Sequence, residues 1–514
     1  LKVSGPHLKF IEGQFFLTGH TPGGNAWVYA GSDQYITTNF QAAAAFRRLA
    51  DVSTERVFKR AFNRLYDCPS QLRLPSFLDP HQKDGVEFIL TRARSYLAHA
   101  PGAGKTAQAI VAAHLCEATG QILFIVPPSL ATNWVREIQK FSPEVGEYPS
   151  IAVVPLTAKR REMNWQADVI VCPDSLLMTD WVFMKLRDLK SNFKFIAVDE
   201  ASRLKDPASQ RSIAFYGGVI NAKRFSGIYH SARHTVFLDG SPMPNRPMEL
   251  FGAASALDPE AIDCLNRQDF GFRYCGAKLN DRGCWEFNGS NREAELHSKL
   301  TKRLMHVVSE DKLSHPERRR SMLFMTDVRT AEHKTWDRKH LAKLKIESEE
   351  NSQGDLARLR RELGIRKVPW VAQYASEILS NKKEAILVFA WHVDVCLELE
   401  KRLAKFKPRV IIGGVKNDVR EEAFASFQSG GCSLIIGNIQ AMGRGVNLQR
   451  ATRVVFAEFS WSPESNVQAE KRTSRRGNNQ AYIRSDFICV PSSIDEKVLS
   501  SIFTKERRVK NVIG

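Results

Sequence analysis

The sequence predicts an α/β protein of two doubly wound parallel-sheet lobes, with a helical insertion between them and a small N-terminal accessory domain. Three observations carry this. Short continuous apolar runs alternate with helical stretches over residues 73–255, the same alternation returns over 376–514, and the strand signal thins over 256–375. Runs that are apolar throughout suit strands buried on both faces of a parallel sheet, and strand–helix alternation is how such sheets are wound. At ~100–200 residues per domain, 514 residues allow three or four units.

Residues 1–72 open the chain separately. Gln14–Leu17 and Ala26–Tyr29 read as strands around the turn Thr21-Pro22-Gly23-Gly24, and a helix is expected after Thr37-Thr38-Asn39. In the first lobe the strands are Ile122–Val126, Val169–Cys172, Phe195–Val198 and Val236–Leu238, with a helix over Thr106–Glu117. The 256–375 segment carries the basic runs Arg318-Arg319-Arg320 and Arg358-Leu359-Arg360-Arg361, read as faces of helices. The second lobe has strands at Ala385–Ala390, Arg409–Ile412, Leu434–Ile436 and Val454–Ala457.

Composition narrows the partners. The net charge is +18 and the pI near 9.5, which favours a polyanion, nucleic acid before a membrane surface; a basic surface kept for solubility is the plainer alternative. No run of about 18 apolar residues could span a membrane. The start, Leu1-Lys2-Val3-Ser4-Gly5, lacks the charged and apolar regions of a signal peptide. The nine cysteines include no C-x-x-C pair and read as reduced thiols, consistent with a cytoplasmic protein of a bacterial or phage-infected cell. Cys264, Cys275 and Cys284, with His297, have a spacing that fits no common zinc pattern.

The chemistry is concentrated in two motifs. Pro101-Gly102-Ala103-Gly104-Lys105-Thr106 opens a helix, in a relaxed form of the phosphate loop with His99 where the strict pattern has glycine. Glycines let backbone amides wrap phosphate, Lys105 is placed to reach the β/γ-phosphates of ATP, and Thr106 to bind Mg²⁺. Phe195–Val198 ends in Asp199-Glu200, at the strand end where ligands sit. Asp199 is expected to hold Mg²⁺ and Glu200 to polarise the attacking water.

Taken in order, these and further motifs resemble the Swi/Snf-type branch of superfamily-two helicases. The small annealing-helicase (HepA-related) translocases, of bacterial or phage type, are the most similar group, and the resemblance covers residues 75–490. It implies that both lobes are RecA-like. It also implies a role for Leu78-Asp79-Pro80-His81-Gln82-Lys83-Asp84-Gly85 in adenine recognition, through Gln82. Val126-Pro127-Pro128-Ser129-Leu130 to Ile138 would contact one DNA strand, with Ser129, Asn133 and Trp134 as candidates. Asp239-Gly240-Ser241-Pro242-Met243-Pro244-Asn245 would couple nucleotide state to DNA grip through Gly240 and Ser241; most relatives have Thr where Asp239 stands. In the second lobe, Val388-Phe389-Ala390-Trp391-His392 and Gly413-Gly414 precede Gly443-Arg444-Gly445-Val446-Asn447-Leu448. There Gly445 is implied in nucleotide binding and Asn447 in DNA binding. In Gln468-Ala469-Glu470-Lys471-Arg472-Thr473-Ser474-Arg475, catalytic roles fall on Gln468, Arg472 and Arg475, the arginines facing the γ-phosphate across the lobe cleft, with Arg475 as the finger. The motif then departs from the family's Arg-Ile-Gly-Gln ending, reading Arg475-Arg476-Gly477-Asn478-Asn479-Gln480.

The resemblance implies an ATP- and Mg²⁺-dependent motor on duplex or branched DNA, largely indifferent to base sequence because it grips phosphates. Arg318, Arg319, Arg320, Arg358, Arg360 and Arg361 are candidate phosphate contacts, against the alternative of a solvated basic face. A strand-separating DNA or RNA helicase shares the ATP machinery and stays open, and so does a non-catalytic DNA-binding scaffold, although it has no need of Lys105, Asp199, Glu200 and Arg475 together.

Overall fold

A computed structural model describes residue 65 onward, except 68–71, 156–162, 190–191, 221–222, 230, 265, 281–282, 314–315, 342–353, 383, 443–447, 474–479 and 514, together with the backbone of four earlier strands. The chain divides into two compact units, residues 1–309 with 508–514, and residues 310–507.

The four early strands, β1 (His7–Ile11), β2 (Gln14–Thr18), β3 (Val28–Gly31) and β4 (Gln34–Thr37), form an antiparallel sheet in the order β1-β2-β4-β3. The two strands expected here are thus present but not neighbours, since β4 pairs between them. The helix expected after Asn39 lies outside the described residues.

The first unit is built on β5 (Arg94–His99), β6 (Gln121–Val126), β7 (Ile151–Val153), β8 (Val169–Pro173) and β9 (Phe193–Asp199). A separate hairpin of β10 (Gly217–Ile220) and β11 (Lys223–Ser226) follows, then β12 (His234–Asp239), a two-residue pairing of β13 (Lys278–Leu279) with β14 (Trp285–Glu286), and β15 (Met305–Val308). The main sheet runs β15-β5-β12-β9-β6-β8-β7, and every pair in it is parallel. Residues of β6, β8, β9 and β12 are buried on both faces, as continuous apolar runs require, and two apolar clusters pack the two sides. Three helices matter for the site: α1 (Pro80–Leu90), α2 (Lys105–Leu115) and α3 (Ala131–Phe141). α1 starts at Asp79, with Pro80 at its first position, where no backbone N–H is needed. α3 buries Ala131, Trp134 and Ile138, the 3–4 spacing of one helix face.

The second unit is a parallel sheet of β16 (Glu317–Phe324), β17 (Ile386–Ala390), β18 (Arg409–Ile411), β19 (Leu434–Asn438), β20 (Arg453–Phe456) and β21 (Tyr482–Cys489), in the order β16-β21-β20-β17-β19-β18. Its helices include α4 (Asp355–Glu377), α5 (Pro463–Glu470) and α6 (Ile494–Ile513) up to residue 507, the rest of α6 belonging to the first unit.

The segment 256–375 is largely helical, with helices Arg267–Tyr274, Glu293–Arg303, Ala331–His340 and Asp355–Glu377, but it divides between the two units. Its residues up to 309 fold with the first unit, where β15 adds a parallel strand beside β5; the rest fold with the second, where β16 pairs with β21. The strands escaped the sequence reading because neither is an apolar run. β15 is only half-buried, and β16 is an edge strand beginning Glu317-Arg318-Arg319-Arg320 with most of its residues exposed or half-exposed. Strand pairing is a backbone matter, and a charged edge is compatible with it. The run expected on a helix is therefore on a strand.

Candidate nucleotide and nucleic-acid site

In the first unit three strand ends lie side by side. β12 sits between β5 and β9, with Asp239 opposite Ala98 of β5 and Leu238 opposite Asp199 of β9. The phosphate loop leaves β5, the acidic pair ends β9, and Asp239 ends the strand between them. Parallel winding puts these carboxyl ends on one edge, the usual place for a ligand in such a sheet.

The loop has the backbone its sequence suggested. Gly102 and Gly104 sit at φ +90° and +75°, a left-handed region that other residues rarely occupy. A Cβ on Gly104 would lie 2.1 Å from Nε2 of Gln82, so a side chain there would displace the Gln82 amide. Lys105 begins α2, and its Nζ donates to the His99 carbonyl at 2.7 Å. Thr106 follows on the first turn, where helix amides face outward. Pro101 packs against Gly240, where an added Cβ would meet its ring at 2.8 Å. The phosphate loop and the Gly240-Ser241 turn are thus in direct contact.

Gln82, expected to read adenine, is buried against the loop. Its Nε2 donates to the Ala103 carbonyl at 3.1 Å and its Oε1 accepts from the Asp79 amide at 2.9 Å. A primary amide has two hydrogens and two lone pairs, so one donor and one acceptor remain. Gln108 Nε2 donates to the same carbonyl at 3.0 Å.

Asp199 accepts from Nε1 of Trp134 at 2.9 Å through Oδ2, and from the Glu200 amide at 3.0 Å through Oδ1. Burial pushes its carboxyl up, the indole N–H and the Lys105 ammonium oppose the rise, and Asp239 adds to it. A bound divalent cation would favour the ionised form. Thr106 and Asp199 offer hard oxygen donors, the set Mg²⁺ takes, and a carboxylate with two lone pairs already engaged retains two more. These residues fit the ion. Glu200 turns at φ +52°, which starts the next helical turn directly after the acidic pair.

Two features were not legible in the sequence. Asp239 is buried and accepts from the amides of Ser202 and Ser241, both at 2.6 Å, so one carboxylate ties the segment after Glu200 to the Gly240-Ser241 turn. The motif Asp239–Asn245 marked the residue, but nothing in it showed the bond to Ser202. Beneath the loop, His99 Nε2 lies 2.7 Å from Nδ1 of His306, and burial first, then His306, Lys105 and His81, hold His99 well below the usual histidine range.

The nucleic-acid candidates separate. Ser129 is exposed in the turn before α3 and Asn133 in the first turn of α3, and Gly240 and Ser241 are half-exposed. Trp134 is 1% exposed and bonded to Asp199, so its expected role as a DNA contact is corrected: it lies on the buried face of α3 and supports the acidic pair. In the second unit Gln468 is half-buried on α5 and Arg472 is buried just beyond it, its carbonyl accepting from Leu448 at 2.9 Å. Gly445, Asn447 and Arg475 lie outside the described residues.

Most of the six arginines expected on DNA are held by the protein itself. Arg318 and Arg320 pair with buried Glu470, Arg358 with Glu332 and Arg361 with Asp394. Arg360 is buried, donating to the Phe459 carbonyl, with its guanidinium 4.7 Å from the Trp461 ring. Arg319 pairs with Glu317 at the surface.

Two family models match the chain. Residues 81–359 match the model described as SNF2-related domain, and residues 370–477 that described as Helicase conserved C-terminal domain. The chain belongs to the SNF2-related family. Among curated SNF2-type relatives, the "DNA annealing helicase and endonuclease ZRANB3" of Homo sapiens is 30% identical over 420 residues, covering 79% of this chain and 37% of that protein. The "SWI/SNF-related matrix-associated actin-dependent regulator of chromatin subfamily A-like protein 1" of Xenopus laevis is 28% identical over 424 residues, 79% of this chain and 41% of that protein. The chain spans about two fifths of the length of these relatives. A "Sulfolobus solfataricus SWI2/SNF2 ATPase core in complex with dsDNA" aligns at TM-score 0.38 and 18% identity, covering 87% of this chain and 99% of that one.

Proposed function

We propose that the chain is a DNA-dependent ATPase that translocates on duplex or branched DNA and remodels forks, or anneals or branch-migrates strands, in replication, recombination or repair. The observation that carries the ATPase is the row of three strand ends: the Lys105 loop, the Asp239 carboxylate and Asp199-Glu200 on one edge of one sheet. The DNA reading is supported by family membership, by relatives named as DNA annealing helicases and by the net charge of +18.

Bound MgATP would supply the γ-phosphoryl group and the charge that its transfer releases. Lys105, now on the His99 carbonyl, would bind a phosphate oxygen, and Thr106 and Asp199 would hold the ion. Glu200 accepts a proton from the attacking water. Asp239 bonds the Ser202 and Ser241 amides together, so a shift after Glu200 is passed to the turn assigned to DNA grip. Gln468, Arg472 and Arg475 are assigned to the γ-phosphate, where guanidinium groups stabilise developing charge.

The test is ATP hydrolysis without nucleic acid and with single-stranded, duplex or forked DNA or RNA, at one salt concentration. Duplex or forked DNA is expected to stimulate most, and Glu200→Gln to reduce the stimulated rate by about 100-fold or more. Stimulation by RNA or single strands alone would replace the reading with a strand-separating helicase. No stimulation by any of them would leave the DNA-binding scaffold.

A further inference from the structure

The arginine run on β16 has two faces, because alternate residues of a strand point to opposite sides. Arg319 is 58% exposed, pairs with Glu317 and lies over the Tyr482 ring. Arg318 and Arg320 point the other way and converge on Glu470, the last residue of α5, which has no exposed surface. Nη1 of Arg318 lies 2.8 Å from Oε2 of Glu470; Nε of Arg320 lies 2.8 Å from Oε1, and its Nη2 bonds Oε2. Burial alone would raise the Glu470 carboxyl, but the two guanidinium groups outweigh it and hold the acid below its ordinary range.

Each arginine reaches a second carboxylate. Arg318 bonds Glu310 at 2.6 Å and Arg320 bonds Glu506 at 2.6 Å, while Lys471 lies 3.8 Å from Glu310. Glu310 and Glu506 have a particular place in the chain. The polypeptide passes from the first unit to the second between 309 and 310, and returns between 507 and 508. Both passages are therefore tied, through one arginine each, to a single carboxylate. That carboxylate is two residues from Gln468 on one side and two from Arg472 on the other.

A buried charge network of this kind is a poor source of net stability, because desolvation offsets the attraction; its better attested use is to specify one arrangement. Two planar guanidinium forks around one carboxylate fix its position and orientation more narrowly than point charges would.

We propose that Arg318, Arg320 and Glu470 are positioning residues for hydrolysis, holding Gln468 on α5 and Arg472 just beyond it in place against β16. The inference rests on the reading of Gln468 and Arg472 as γ-phosphate residues of a DNA-dependent ATPase.

The experiment uses the full chain, with steady-state ATP hydrolysis on duplex DNA and binding of a fluorescent ADP analogue. Arg320→Gln is expected to lower kcat by about 10-fold to 100-fold, the scale of a small misplacement of catalytic groups. KM for ATP and ADP-analogue affinity should stay within about twofold, because uniform binding is untouched. Arg320→Lys, which keeps charge but loses the fork, should fall between Arg320→Gln and the parent, and Glu317→Gln on the same strand should match the parent. Combined with Arg472→Ala, Arg320→Gln should add less than its full loss, since part of its effect passes through Arg472. Unchanged kcat in Arg320→Gln with full analogue binding, or losses that simply multiply, would overturn the proposal. Should Arg320→Gln fail to bind the analogue stoichiometrically, Arg320→Lys decides by the same two criteria. A parent protein with no DNA-stimulated turnover would overturn the functional reading and this inference with it; an active parent with an unaffected Arg320→Gln removes this inference alone.

Discussion

At the residue scale, the first unit carries a pH dependence in its buried imidazoles. His99, His114 and His234 are all held neutral chiefly by burial, His114 and His234 being lowered to about 4. His234 Nδ1 donates to the Arg92 carbonyl at 2.8 Å, a bond that opposes the shift but is outweighed by burial, and His114 Nε2 meets Ser142 at 2.8 Å. In the unfolded chain each titrates at about 6.5. Below that pH the unfolded state binds protons that the folded state refuses, so stability is complete above pH 6.5 and is lost as pH falls toward 4. A fully buried histidine such as His234 contributes a slope of about 1.4 kcal/mol per pH unit within that window. Urea unfolding at pH 7.5, 6 and 5 should show this loss, and His234→Gln should flatten it. An equal slope in that variant would assign the acid sensitivity elsewhere.

At the element scale, close approach decides several positions that sequence patterns treat as neutral. Gly364 lies inside α4, where helix propensity alone would favour alanine. A Cβ there would lie 2.4 Å from Oε1 of Glu458 and 3.0 Å from Cγ2 of Val395. Glu458 cannot yield easily, since it accepts from the amides of Trp391 and His392 and from the His392 ring. Gly364→Ala is therefore expected to destabilise the protein by about 1–3 kcal/mol, the usual cost of overpacking, against a gain of about 1 kcal/mol from propensity alone. A denaturant midpoint that rises in this variant would refute the packing argument. The same kind of constraint explains β15 and β16. Each is a strand because a parallel neighbour offers its backbone a partner, although neither has an apolar run of its own.

At the scale of the whole molecule, the excess of positive charge is not all available to a polyanion. Binding to duplex DNA should weaken with salt, the logarithm of the association constant falling with a slope of about −0.9 per phosphate neutralised. Arg318 and Arg320 are already neutralised by Glu470, Glu310 and Glu506, so Arg318→Gln and Arg320→Gln should leave that slope unchanged. Titrations at several salt concentrations will measure it, and a slope shallower by about one unit per arginine would return these residues to the DNA surface. Among the described residues no helix is long and apolar enough to cross a membrane, and the described cysteines are free thiols.

The sequence by itself determined the two-sheet α/β class and the phosphate loop at Lys105. It also determined the acidic pair Asp199-Glu200 and the order of motifs that marks the family. These are local properties: an apolar run, a glycine spacing and a strand-end carboxylate are each written within a few residues. Tertiary structure decided what depends on distant partners. It made Trp134 a support for Asp199 instead of a DNA contact, and Asp239 the tie between two turns. It drew Arg318 and Arg320 onto Glu470, about 150 residues further along the chain. A charged side chain looks the same in sequence whether it faces solvent or a buried opposite charge. Which of the two it meets is set by the pairing of β16 with β21 and by the packing of α5, and neither is a local property of the chain.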